Sequence, residues 1–63
     1  MSNMEVKISK DEAIKKLDSF IDIAKRSSSN YKEWAYGFVS ALNSFGVIDS
    51  SEVESLLKER GAW

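Results

Sequence analysis

The chain has no cysteine and no histidine. Without cysteine, no disulfide can staple the fold, and without either residue the usual ligands of zinc and of iron–sulfur clusters are missing. The same absences remove the side chains on which many acid–base and nucleophilic schemes depend. Glycine is scarce as well, with only Gly37, Gly46 and Gly61, and no glycine-rich phosphate loop can be built from them. No apolar run approaches the roughly 18 residues of a membrane span, and no signal-peptide pattern opens the chain. Charge of one sign is not in excess either: nine basic and ten acidic residues leave a net charge of −1. That balance gives no electrostatic drive towards nucleic acid or a lipid surface. The expectation is a cytoplasmic protein that is not an enzyme, with no catalytic residue, cofactor, metal or membrane partner.

Carboxylates do occur in pairs: Asp11 with Glu12, Asp18 with Asp22, and Glu52 with Glu54. Each is explained by a helix start or a solvated helix face. Asp18 and Asp22, one turn apart, have no metal-binding loop beside them. The charge is distributed unevenly. Residues 1–32 carry seven basic and five acidic groups, net +2, whereas residues 33–63 carry two and five, net −3.

Sixty-three residues form one small domain, 1–63. A domain this size buries only about 60% of its unfolded surface and is marginal alone. With disulfides and metals removed, tight helix packing and self-association remain as means of stabilising it.

The periodicity divides the chain into an arm and three helices. In residues 1–8, Met4, Val6 and Ile8 alternate with Glu5 and Lys7, a strand-like period of two without a second strand, and this segment is expected to be an extended arm. Ser9 followed by Glu12 is a capping box that opens helix 1, about 10–26. Ala13, Ile14, Leu17, Phe20, Ile21 and Ala24 share one face of it, and Ile23 falls outside that stripe. Ser27-Ser28-Ser29-Asn30 is a linker, and Asn30 with Glu33 signals helix 2, about 30–45. Its expected core stripe is Trp34, Ala35, Phe38, Leu42 and Phe45, widened by Tyr31, Val39 and Ala41. Gly46 stops it. Asp49 and Glu52 open helix 3, about 50–60, whose Val53, Leu56 and Leu57 face inward before Gly61 ends it. The fold class is therefore all-α: a compact three-helix unit with a short extended N-terminal arm, completed by homodimerisation.

Five of the seven aromatic residues crowd into helix 2 and its end: Tyr31, Trp34, Tyr36, Phe38 and Phe45. Gly37, Ala41 and Ser44 lie along one flank of the same helix. Small residues so spaced let a second backbone approach closely. Either another helix of the same subunit packs there or a second copy does, and self-association through Gly37, Ala41 and Ser44 is the expectation. Tyr36 points away from the core stripe, and Trp63 follows the Gly61 stop. With Ile23 they are the candidate partner-binding residues, since Tyr and Trp are enriched at binding hot spots.

The helices around Gly46 have helix-turn-helix spacing, but helix 3 carries Asp49, Glu52, Glu54 and Glu59 against only Lys58 and Arg60. DNA would repel such a recognition helix. In length and layout the chain resembles the small accessory proteins of bacterial viruses and mobile elements. That resemblance has no motif behind it. It implies a regulator or inhibitor that binds one host protein, such as a transcriptional regulator or a defence enzyme, and changes its activity. The expected function is thus a non-enzymatic protein–protein interaction module. The alternatives are a DNA-binding transcriptional regulator and a structural self-assembly protein.

Overall fold

Each helix is delimited by residues that satisfy or release its end groups. Ser9 is extended, and its Oγ accepts the Glu12 N–H at 3.1 Å, which starts α1, Lys10–Ser27. A turn follows in which Ser28 Oγ accepts the Asn30 N–H at 3.0 Å. The Asn30 side chain, expected to cap the next helix, makes no cap bond, and α2 spans Tyr31–Ser44. Asp49 precedes α3, Ser50–Glu59, and donates its backbone N–H to the Glu52 carboxylate at 2.9 Å. The computed structural model describes residues 8–63, and these three helices are its regular elements. Apart from Ile8, the expected N-terminal arm lies outside the described residues.

Both glycine stops are Schellman motifs. Gly46 takes φ +79° and Gly61 φ +68°, the left-handed region where a side chain is strained. After α2, the Gly46 N–H reaches the Asn43 carbonyl and the Val47 N–H reaches that of Leu42. After α3, Gly61 and Ala62 repeat the pattern onto Lys58 and Leu57. These reversals turn the following residues inward, so Ile48 and Ala62 are buried and Val47 is half-buried.

The core gathers Leu17 and Ile21 from α1, Ala35 and Val39 from α2, and Leu56 and Leu57 from α3, with Ile48 and Ala62. Leu17, Val39 and Leu57 are fully buried. Each such side chain contributes about 1.5–3 kcal/mol through removal from water. Ile14, Tyr31, Phe38, Leu42 and Val53 close the margins.

The core stripe of α2 therefore differs from the sequence expectation. Trp34 and Phe45, expected inside, are exposed, and the fully buried positions are Ala35 and Val39. At about 100° per residue, Ala35 and Val39 point about 100–140° away from Trp34. The line of closest approach runs along these smaller residues. The bulky rings are left at the edge, on the side of α2 that neither α1 nor α3 covers.

Polar groups fasten α3 to α1. Arg60 Nε bonds the Asp18 carboxylate at 2.5 Å, and Lys25 Nζ donates to the Arg60 carbonyl at 3.1 Å. Lys25 Nζ also stands 5.6 Å from the centre of the Tyr31 ring, and the Tyr31 hydroxyl donates to the Gly61 carbonyl at 3.4 Å. At the other end, Lys10 pairs with Glu52. The Asp49 N–H and then the Lys10 ammonium hold the Glu52 carboxyl below its usual range, and the Glu52 carboxylate raises Lys10. Asn43 Nδ2 donates to the Ile48 carbonyl at 3.1 Å, tying the α2–α3 turn to α2.

Candidate protein-interaction face

α1 and α2 form an antiparallel hairpin, and α3 covers one side of it. The opposite side is open. There Phe20 and Phe38 stack with ring centroids 5.0 Å apart, at the floor of a groove of about 530 Å³. Glu12, Lys15, Lys16, Ser19 and Ile23 form the α1 wall of this groove. Its floor is apolar and its α1 rim is charged.

The exposed edge of α2 continues this surface. Trp34 is 44% exposed and Phe45 is 65% exposed. Eleven residues separate them, about three helical turns, so they share a bearing within about 20°. Ala41 lies about 20° from Trp34 on the side away from Phe45, and Gly37 and Ser44 follow further round the same flank. All three small residues are exposed. A Cβ built on Gly37 would meet nothing within 4 Å. Neither α1 nor α3 therefore uses the Gly37, Ala41 and Ser44 flank, and the intramolecular explanation of these small residues is set aside. Large aromatic rings flank a low, narrow centre.

The three candidate partner-binding residues do not form one site. Ile23, 56% exposed, sits on the groove wall with Phe20 and Phe38. Tyr36, 52% exposed, points about 160° away from Phe38 around α2, so it faces a different side of the molecule. Trp63 is 53% exposed and follows the buried Ala62. Sequence reasoning left Trp34 and Phe45 out of the candidate site because it assigned them to the core. Their signal was the flat flank beside them, since a helix that packs its aromatic rings inward has no need of a second apolar margin.

Chemically, the face can bury apolar surface and exchange charges along its α1 rim. Among the described residues, no group of three or more acidic side chains is placed to hold a metal ion. The Asp18 carboxylate faces Arg60, and Asp22 faces Arg26 at 2.9 Å. No described helix is long and apolar enough to cross a membrane. No protein-family model, curated protein or solved structure matches the chain.

Proposed function

We propose that this chain is a non-enzymatic protein–protein interaction module, a small dimeric regulator or inhibitor that binds a host protein and modulates its activity. The host protein would be of the kind represented by a transcriptional regulator or a defence enzyme. One observation carries this reading: Ile23, Trp34 and Phe45 remain exposed on the side of the hairpin that holds Phe20 and Phe38. A fully buried aromatic side chain removes about 150–250 Å² from water. Trp34 and Phe45 therefore each leave on the order of 100 Å² uncovered, worth about 2–3 kcal/mol apiece when a partner covers them. A marginal 63-residue domain that leaves this much unclaimed is suited to docking.

Tyr36 points away from Phe38 and Trp63 is not among the residues that line the groove, so both are available to a host protein while the groove is occupied. A chain without cysteine is also at home in the reducing cytoplasm. The test is capture from a nuclease-treated lysate with tagged chain. One stoichiometric partner, lost on Tyr36→Ala or Trp63→Ala, is expected. Retention that disappears with nuclease, together with salt-sensitive binding to duplex DNA, would instead favour a DNA-binding regulator.

A further inference from the structure

The groove over the Phe20–Phe38 stack begins one turn after Ser9, where the chain enters α1. From Glu12 to Ile23 its α1 wall is about 16 Å long, at about 1.5 Å per residue. Ile8 stands just before the Ser9 cap. A hydrophobic residue at that position packs against the fourth residue of the helix, here Ala13. Ile8 is half-buried and Ala13 is fully buried. Ala13 and Phe20 are seven residues apart and share a bearing on α1 within about 20°. Packing of Ile8 on Ala13 therefore starts the preceding residues along the line that leads to the aromatic stack.

Those residues carry the pattern that the groove calls for. Met4, Val6 and Ile8 are apolar, and Glu5 and Lys7 alternate with them. Period two is the signature of an extended segment buried on one side. Such a segment advances about 6.6 Å for every two residues, which matches four to five residues of a helix. Counted back from Ile8 beside Ala13, Val6 falls level with Lys16 to Ser19, and Met4 falls level with Phe20 to Ile23. A thioether against aromatic rings is a favourable contact. Charge runs in matching order as well. From the start of α1 the rim reads Glu12, then Lys15 and Lys16. Read back from Ser9, the chain offers Lys7, then Glu5. Among the described residues, Lys15 and Lys16 take part in none of the ion pairs.

We propose that the occupant of this groove is the chain's own segment 4–8, of which the structure describes Ile8. The segment runs back along α1 in extended form, with Met4 on the Phe20–Phe38 stack and Val6 beside the stem of Lys16. Glu5 and Lys7 stay at the rim, towards Lys15 and Lys16 and towards Glu12. Tethering favours this occupant over a separate peptide: the segment is held one turn from the groove, at high effective concentration. With the segment in place, Trp34 and Phe45 remain exposed on α2 for a partner. This occupant needs no host protein, so its failure would leave the interaction module as it stands, and the reverse holds too.

The absence of cysteine permits a direct test in the full chain. Asn3→Cys supplies a single thiol for a nitroxide spin label. The label should broaden the amide signals of Ser19, Phe20 and Ile23, whereas those of Ser55 and Lys58, exposed on α3, should stay sharp. Adding Met4→Asp with Val6→Asp should restore the Ser19, Phe20 and Ile23 signals without changing the helical circular dichroism. In a mixture of nitroxide-bearing chain with isotope-labelled chain that lacks the nitroxide, every signal should stay sharp. Broadening that is equal on α1 and α3, or that survives the two aspartates, overturns the proposal. Broadening in the mixture overturns it too, since the groove would then hold the segment of another copy.

Discussion

Phe20 and Phe38 stack with ring centroids 5.0 Å apart and planes inclined by 29°. Each is only half-buried, so the pair forms the floor of an open groove and does not sit inside the core. It is also one of the contacts that hold α1 and α2 in register, beside the core that Leu17 and Ile21 share with Ala35 and Val39. The packing of the hairpin and the geometry of its open face therefore depend on the same two rings.

The stability of the monomer fold depends on residues on the other side of the hairpin. Leu57→Ala should destabilise the fold by about 2–5 kcal/mol, because Leu57 is fully buried and leaves a cavity. Phe38→Ala should cost less than Leu57→Ala, since one side of the Phe38 ring already faces the groove. Urea titration checks both, and a Leu57→Ala change below about 1 kcal/mol would show that the core is elsewhere.

Two glycines respond to alanine with opposite signs. Gly46→Ala forces a side chain into the left-handed region at φ +79° and should destabilise by about 1–2 kcal/mol. Gly37→Ala has space for its methyl and should stabilise α2 by up to about 1 kcal/mol. Thermal melts followed by circular dichroism at low protein concentration separate the two.

Gly37→Leu should abolish the dimer while keeping the helical signal. A Cβ at this position meets nothing within 4 Å in its own subunit, and the larger side chain would fill the low centre of the face. Light scattering coupled to size exclusion measures the outcome, and a variant that keeps a dimeric mass would place the interface elsewhere.

The Lys10–Glu52 pair links the starts of α1 and α3 and titrates at both ends of the pH scale. Glu52 is depressed in the folded chain, so its contribution is present above the unfolded carboxylate range, near pH 4.3, and is lost as pH falls through the folded value. Lys10 is raised, so its contribution is present below about pH 10.4 and is lost as pH climbs through the folded value. Glu52→Gln should flatten the acid limb of the stability–pH curve relative to the parent chain. An unchanged limb would show that the pair does not couple to folding.

Much of the architecture is legible in the residues. Ser9, Gly46 and Gly61 mark helix ends because capping chemistry is local and needs no tertiary context. The inward face of α1 reads correctly through Leu17, Ile21 and Ala24 for the same reason, since its polar face is unambiguous. α2 is harder. It is apolar over so wide an arc that periodicity cannot say which part faces a neighbour. Centring the stripe on the largest rings put Trp34 and Phe45 inside, but close helix approach selected the smaller Ala35 and Val39. The flank of Gly37, Ala41 and Ser44 was visible, whereas its relation to Ile23 and Phe20 needed the hairpin register that only the fold supplies.

If two copies pair antiparallel along the Gly37, Ala41 and Ser44 flank of α2, Trp34 of one meets Phe45 of the other, and the most direct test is a nuclear Overhauser experiment between the Trp34 indole and the Phe45 ring at millimolar concentration. Within one chain these residues lie about 16 Å apart along α2, too far for a cross-peak. A cross-peak between them, persisting as an intermolecular signal in a mixture of labelled and unlabelled chain, is the predicted result. Its absence, with a native mass of one chain at the same concentration, would contradict the account.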